Sequence, residues 1–149
     1  MEVGKLCTVD TVFCARDESV QGAAFLMRKH HVGDIVVVDA ADTVPTPAGI
    51  VTDRDIVVSV VALGLDPNGL QVGDIMTDDL LTADEHDDVT VTIERMRLRG
   101  IRRVPVVGEG GRLVGIVSAD DLLGFLAEEM EDLARISPYQ QQHERRTRQ

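Results

Sequence analysis

The stretches that decide the fold are GIVTDRDI at residues 49–56 and GIVSADDL at residues 115–122. They lie 66 residues apart and share the opening GIV and a later aspartate. Upstream of them the spacing is 69 residues, since the valines at 37–38 match those at 106–107 and Met27 matches Met96. The chain therefore contains an internal repeat. Three residues are lost between the matched valines and the GIV motif, a stretch whose loop contains AADTVPTPAG in the first copy and GEGGR in the second.

Both copies show the same order of elements. Apolar residues at helical spacing follow Ser19 in the first copy and Asp87 or Asp88 in the second, so these residues are the expected N-caps. The loop in each copy is a predicted hairpin, because it is rich in Gly or Pro. The paired β-branched runs predict strands at 35–39 and 48–52, and at 104–107 and 112–118.

A further helix follows the second strand of each copy, starting at Asp53 and at Ala119. The helix of the first copy ends near Gly64 and is apolar on nearly every side, which predicts a buried helix. The turn sequence DPNG at residues 66–69 marks the boundary between the copies.

Composition limits the classes of function. The formal net charge of −11 disfavours binding to nucleic acid and to anionic membranes. Cys7 and Cys14 have neither a metal-binding spacing nor the number needed for a disulfide framework, so no metal site and a reducing compartment are expected. With no signal or membrane-spanning pattern, we expect a cytoplasmic protein.

The repeated motif has two interpretations. Thr52 with Asp55, and Ser118 with Asp121, have the spacing of a capping box, in which a hydroxyl and a carboxylate satisfy free N–H groups at a helix start. The same helix start can accept a phosphate, and the carboxylate can accept hydrogen bonds from ribose hydroxyls. Capping boxes are the commoner of the two structures, and both interpretations stay open.

The duplicated pattern resembles the CBS domain, named after cystathionine β-synthase, which occurs as tandem pairs. The resemblance rests on GIVTDRDIVVSVVALGLDPN in the first copy and IRRVPVVGEGGRLVGIVS in the second. It implies an α/β (α+β) fold of two β-α-β-β-α repeats packed as a pseudo-twofold pair, commonly dimeric. The expected divisions are a first domain at 5–66, a linker at 67–73, a second domain at 74–128 and a polar, partly basic and frayed C-terminal tail at 129–149.

The resemblance also implies a ligand such as AMP, ADP, ATP, NAD or S-adenosylmethionine in the clefts between the repeats. Asp55 and Asp121 match the family position that binds ribose, and Thr52 and Ser118 match the position near ribose or phosphate. The expected phosphate contacts are Arg54, Arg102 and Arg103.

The two copies divide the basic residues between them. Asp120 stands where the first copy has Arg54, and Gly33 and Asp34 stand where the second copy has Arg102 and Arg103. A carboxylate near a phosphate repels it, so one working cleft, a less charged ligand or no ligand at all are open possibilities. Arg102 and Arg103 are equally compatible with surface pairing to carboxylates.

Apolar positions are the candidates for holding a base, and each of them also suits core packing. They are Phe13, Val32 and Ile35 in the first copy, and Thr82, Ile101 and Val104 in the second.

These observations predict a regulatory, signal-transducing CBS pair that senses an adenosyl ligand and passes the change to an unknown effector protein. No enzymatic motif is visible, no cofactor is required, and a homodimer is expected. The alternative is a ligand-free dimeric interaction module whose repeated motifs act only as helix caps.

Overall fold

The computed structural model describes residues 1–39 and 44–148 and shows a mixed α+β fold built from two similar halves. Each half follows the predicted order of strand, helix, strand, strand, helix. The first half contains β1 (Phe13–Ala15), α1 (Val20–His30), β2 (Asp34–Val38), β3 (Pro47–Thr52) and α2 (Asp53–Ile56), which continues as a π-helical segment at Val57–Val61. The second contains a short α3 (Val72–Ile75), then β4 (Ala83–Asp84), α4 (Val89–Arg99), β5 (Arg103–Val107), β6 (Leu113–Ser118) and α5 (Ala119–Thr147).

Each half forms one three-stranded sheet, and the two sheets have the same topology. The first strand pairs in parallel with the second, which pairs antiparallel with the third. Both sheets carry a register shift at the equivalent place, between Val37 and Val38 and between Val106 and Val107. The GEGG sequence forms the predicted connection from β5 to β6, whereas residues 40–43 of the corresponding predicted loop lie outside the described residues.

The first helix of each half begins and ends as a local sequence signal dictates. Ser19 and Asp88 cap α1 and α4, and their side chains accept hydrogen bonds from backbone N–H groups of the first turn at 2.9 and 2.8 Å. Both helices end in a left-handed residue, Gly100 at φ 64° and His31 at φ 55°. Glycine adopts this conformation without strain, whereas a side chain such as that of His31 adopts it rarely.

A backbone segment is exchanged between the halves. Residues 2–8 lie on the second half, and residues 71–77 occupy the equivalent place on the first, 69 positions later in the chain. This exchange ties the two halves together through backbone pairing. The paired positions are Glu2 with Asp88 and Thr8 with Ile116 on one side, and Gln71 with Ser19 and Thr77 with Ile50 on the other.

The exchanged segments complete the two hydrophobic cores. Val3 is fully buried and belongs to the core of the second half, together with Val104. Val72 is also fully buried and belongs to the core of the first half, together with Ile35. Each core therefore contains side chains from both halves, and neither half covers its apolar residues with its own residues alone.

The prediction of a buried helix after β3 is wrong for the single chain. Val60 is buried, but Val57, Val58 and Val61 are each at least half exposed. A three-stranded sheet covers one face of a helix that crosses it, so the apolar residues on the remaining faces stay in contact with solvent.

The prediction of a frayed tail is also wrong, because α5 extends from Ala119 to Thr147, although Pro138 inside it cannot donate a backbone hydrogen bond. Residues 129–147 consist largely of strong helix formers such as Glu, Gln, Arg, Leu and Met, and Arg135 pairs with Glu131 one turn away. All side chains in this extension are exposed. None of the helices in residues 1–39 and 44–148 has both the length and the apolar character needed to cross a bilayer.

The exchanged segment gives a stability prediction. We expect Val3→Ala to lower the free energy of unfolding by about 2 kcal/mol, because it removes fully buried methyl groups from the core of the opposite half. The matched control is Val9→Ala, whose side chain is 68% exposed and whose loss should change stability by less than about 0.5 kcal/mol. Urea unfolding monitored by circular dichroism measures both values. Equal effects of the two substitutions would contradict the exchanged arrangement.

Candidate functional site

A cleft of about 280 Å³ lies between the two halves, and both contribute to its walls. The first half supplies Val12, Val32 and the end of α1, and the second supplies Ile116, Ser118 and the start of α5. We call it the aspartate cleft, because its lining includes four carboxylates, those of Asp10, Asp34, Asp120 and Asp121.

Ser118 and Asp121 form a complete capping box at the mouth of this cleft. The Ser118 backbone N–H donates to Oδ2 of Asp121 at 2.8 Å, and the Asp121 N–H donates to the Ser118 hydroxyl at 3.2 Å. Thr52 and Asp55 form the same pair of bonds at 2.8 and 3.2 Å. The capping interpretation is therefore confirmed for both copies.

The capping box leaves part of each carboxylate available. In both copies the bond to the backbone uses Oδ2, and Oδ1 of Asp55 and Asp121 makes no hydrogen bond to any described residue. Both aspartates are partly exposed. One oxygen of each can thus accept a hydrogen bond from a ligand hydroxyl while the other still holds the helix.

An ion pair between Asp34 and Arg103 joins the halves at the edge of the cleft. Arg103 Nε and Asp34 Oδ1 lie 2.6 Å apart, and 15% of the Asp34 side chain is exposed. The two residues occupy equivalent positions, 69 residues apart. A contact between a residue and its own repeat equivalent must straddle the pseudo-twofold axis, so this ion pair sits where the two halves meet.

The environment of Asp34 disfavours its charge. Burial raises the pKa of the Asp34 carboxyl, the Arg103 guanidinium acts in the opposite direction, and the Asp53 and Asp121 carboxylates add to the increase. A raised pKa in the folded chain means that folding takes up protons there. The contribution of this proton uptake to the free energy of unfolding is present below about pH 4, and it is lost as the pH rises through the pKa of Asp34 in the folded chain.

Four of the six predicted base contacts lie in three different surroundings. Val32 lines the cleft, whereas Phe13 is half exposed outside it and its neighbour Val12 takes the lining position. Ile35 and Val104 are fully buried in the two cores, so their assignment to a ligand surface is wrong and their role is packing.

The remaining two base candidates face other surroundings. The Thr82 carbonyl accepts a hydrogen bond from Nη2 of Arg95 at 2.9 Å. Ile101 lines a separate apolar groove between α4 and α5.

Sequence reasoning missed several lining residues, among them Thr8, Asp10 and His31. Thr8 and Asp10 reach the cleft through the exchanged N-terminal segment, which no local pattern reveals. The 69-residue spacing of the repeat could have revealed the place of Thr8. Thr8 is the equivalent of Thr77, and each of them pairs with the isoleucine of a GIV motif.

The same offsets in the sequence predict an equivalent second position, which we call the arginine cleft. Thr77 lies beside Ile50 there, as Thr8 lies beside Ile116 in the aspartate cleft. The counterparts of Asp120 and Gly33 at this position are Arg54 and Arg102. Both arginines are exposed, and Arg102 pairs with Asp120 at 3.2 Å.

Comparison with known proteins identifies a matching family. The sequence profile of the CBS domain matches residues 3–62 and 72–128. The mitochondrial CBS domain-containing protein CBSX3 of Arabidopsis thaliana is 32% identical over 91% of this chain and 66% of its own length. Hypoxic response protein 1 of Mycobacterium tuberculosis is 36% identical over 74% of this chain and 75% of its own length. An uncharacterised protein of Methanopyrus kandleri is 35% identical, and the chain spans 61% of its length.

Solved structures with the same architecture bind different groups. The CBS domain pair of protein MJ0100, in complex with 5′-methylthioadenosine and S-adenosyl-L-methionine, matches with a TM-score of 0.73 at 26% identity, over 87% of this chain and 98% of that one. Hypoxic response protein I with two coordinated zinc ions matches with a TM-score of 0.72 at 30% identity, over 83% and 97%. Within residues 1–39 and 44–148, no group of three or more His, Cys, Asp or Glu side chains is arranged to hold a metal ion.

The ion pair at the axis gives a pH-dependent prediction. We expect Arg103→Ala to lower the free energy of unfolding by about 1 to 2 kcal/mol at pH 7, because it leaves the ionised Asp34 without a cation. The loss should shrink at pH 4, since removing Arg103 raises the pKa of Asp34 further and a protonated carboxyl needs no cation.

Chemical denaturation at both pH values measures the effect. Arg102→Ala is the matched control, because its ion pair is 71% and 75% exposed and should contribute less than about 0.5 kcal/mol. A loss that is the same at pH 4 and pH 7 would refute the role assigned to Asp34.

Proposed function

The chain belongs to the CBS domain family, and we propose that it is a cytoplasmic regulatory protein that binds an adenosyl ligand between its repeats. The ligand class comprises AMP, ADP, ATP, NAD and S-adenosylmethionine. The main support is the cleft between the halves, where Oδ1 of Asp121 faces no partner among the described residues while Oδ2 holds the helix cap.

The geometry suggests how such a ligand sits. The ribose hydroxyls donate to Oδ1 of Asp121, and the adenine lies against the apolar side chains of Val12, Val32 and Ile116, which line the same cleft. In the arginine cleft the corresponding carboxylate is that of Asp55, with the exposed Arg54 beside it for a phosphate.

Signalling in this proposal is a population shift. A ligand that touches both halves stabilises the relative arrangement to which it binds best, and a separate effector protein recognises the surface of that arrangement. No catalytic role is proposed, since the one hydroxyl–carboxylate pair described in the lining, Ser118 Oγ to Asp121 Oδ2 at 2.6 Å, belongs to the helix cap.

A second candidate is an interaction module without a ligand. The completeness of both capping boxes favours it, because Thr52, Asp55, Ser118 and Asp121 are already explained by helix capping. In that case the aspartates contribute to stability alone.

Ligand binding separates the two candidates. We expect at least one adenosyl ligand, at about 100 times its Kd, to raise the Tm by about 5 to 10 °C. Asp55→Ala or Asp121→Ala should abolish that shift by removing the ribose acceptor. A thermal-shift panel of AMP, ADP, ATP, NAD and S-adenosylmethionine, with and without magnesium, provides the measurement.

The control variant is Asp74→Ala. At the start of α3, Oδ2 of Asp74 accepts a hydrogen bond from the Gln71 backbone N–H at 2.8 Å, the same bond that Asp55 and Asp121 accept, and Asp74 does not line the aspartate cleft. It should lower the Tm of the free protein by a similar amount and leave the ligand-induced shift intact. A well-folded protein with no shift for any ligand would favour the interaction module.

We also propose a homodimer formed through the exposed apolar helix faces. Val57 and Leu123 occupy equivalent positions and are 56% and 62% exposed. On α5 the apolar stripe continues through Leu126, Met130 and Leu133, at a spacing of three or four residues. A contiguous apolar face of this kind is typical of a protein–protein interface.

Dimerisation is tested by charge insertion. Leu126→Glu should weaken self-association at least tenfold, because it places an unpaired carboxylate in the apolar stripe. Val9→Glu is the matched control, as Val9 is 68% exposed and lies outside the helices that carry this face. Light scattering after size exclusion should show the mass of one chain for Leu126→Glu and of two chains for the control. Monomeric wild-type protein would refute the dimer.

A further inference from the structure

One apolar face runs along α5, and its two halves lie in different surroundings. The first half, which includes Leu123 and Leu126, forms one wall of the groove of about 290 Å³ between α4 and α5. The second half lies on residues 129–147, which we call the α5 arm and whose side chains are all exposed. The spacing of three or four residues from Leu126 through Met130 and Leu133 keeps the face continuous. The same helix thus carries a groove wall and a free apolar arm.

The groove between α4 and α5 has the chemistry of a helix-binding surface. Seven of its eight described lining residues are apolar, and the eighth is Arg97. Its α4 wall includes Ile93 and Met96. On the α5 wall, Leu123 and Leu126 remain 62% and 44% exposed, so the groove is open to a partner. A groove of this kind receives the apolar face of an amphipathic helix.

The α5 arm presents such a face. Met130, Leu133, Ile136 and Tyr139 are between 58% and 70% exposed. Together they place apolar surface along the helix at intervals of three residues. A helix in water is stabilised chiefly by packing of its apolar face, and this arm has no packing from the described part of its own chain. The arm therefore gains stability when another surface covers it.

The distribution of charge along α5 identifies what covers the arm. Residues 119–134 contain six Asp or Glu residues and no Lys or Arg, whereas residues 135–148 contain four Arg residues and one Glu. The formal charges of the two segments are therefore −6 and +3. A second α5 that runs antiparallel places its basic segment beside the acidic segment of the first and opposes the two helix dipoles. A parallel second copy in register would align like charges. The complementary occupant is thus an antiparallel second copy.

We propose that the α5 helices of two copies cross antiparallel between Met130 and Leu133, and that the arm of each copy fills the groove of the other. Ile136 and Tyr139 of one copy then lie against Leu123 and Leu126 of the other. The exchange is reciprocal, so it closes at two chains. This inference rests on the homodimer proposed above and specifies which segments meet in it and in which direction.

Disulfide cross-linking tests the direction. The antiparallel crossing places position 123 of one copy beside position 140 of the other. A mixture of the Leu123→Cys and Gln140→Cys proteins should therefore form linked dimers on mild oxidation, because a disulfide needs its two residues side by side. Each variant alone should not, since its two identical positions lie about 25 Å apart along the helices. Cys7 and Cys14 are buried, and oxidised wild-type protein gives the background on a non-reducing gel.

Charge insertion tests the role of the arm. Ile136→Glu should weaken self-association at least tenfold, because it places a carboxylate in the apolar groove of the partner. Gln142→Glu is the matched control. It adds the same charge to the same arm, but it lies nine residues after Leu133, about two and a half turns, and hence on the opposite face. Both positions are exposed, and unchanged circular dichroism verifies folding. Sedimentation equilibrium measures the dissociation constants.

Ionic strength tests the charge complementarity. Raising the salt concentration from about 0.05 to 0.5 M should weaken the wild-type dimer severalfold, because salt screens the attraction between acidic and basic segments. Parallel helices would respond in the opposite direction, since salt would then screen repulsion.

Each outcome decides a separate claim. The arm exchange is overturned, and the homodimer stands, if wild-type dimers form but Ile136→Glu and Gln142→Glu have equal effects. Cross-linking of either cysteine variant by itself, no cross-linking of the mixture, or a dimer strengthened by salt also overturns the exchange alone. If the wild-type chain is a monomer, the proposed homodimer fails and the arm exchange fails with it.

Discussion

The rest of the structure depends on the reciprocal exchange of two short segments. Residues 2–8 pair with the second half and residues 71–77 with the first, and Val3 and Val72 are fully buried in the opposite cores. A three-stranded sheet with two helices buries too little apolar surface to be stable alone. The exchange makes the core of each half dependent on the other. It also places Thr8 and Thr77 beside the GIV motifs, so the packing that stabilises the fold builds the walls of the clefts.

Much of this architecture can be predicted from the sequence, because residues close together in the chain determine most elements of the repeat. The strand patterns, the N-caps at Ser19 and Asp88 and the capping boxes depend on residues close together in the chain, and the structure has all of them. The exchanged segments lack such a signal, since their partners lie between 27 and 108 residues away in the chain. The exposure of Val57 and Val61 could not be predicted from the sequence for a related reason. Apolar residues on every side of a helix predict that the helix is buried, but they do not indicate whether the same chain or a second copy covers it.

The candidate site was harder to predict than the fold because its residues have two uses. Asp55 and Asp121 fit a helix cap and a ribose acceptor equally well from the sequence, and the geometry shows why: the cap occupies one carboxylate oxygen and leaves the other unbonded among the described residues. Ile35 and Val104 lie on strands next to the cleft, where alternation alone does not say which side faces the ligand. Their complete burial assigns them to the core.

The ion pair between Asp34 and Arg103 joins the two halves in the wall of the aspartate cleft. The two residues are repeat equivalents in direct contact, and both of them line this cleft. A ligand that shifts one half against the other must change this contact, whichever cleft it occupies. Coupling between sites is reciprocal, so a ligand of the proposed kind that strengthens the contact also strengthens the binding of any partner that recognises the same arrangement of the halves. A single ion pair at the axis can thus link the occupancy of the cleft to the relative arrangement of the two halves.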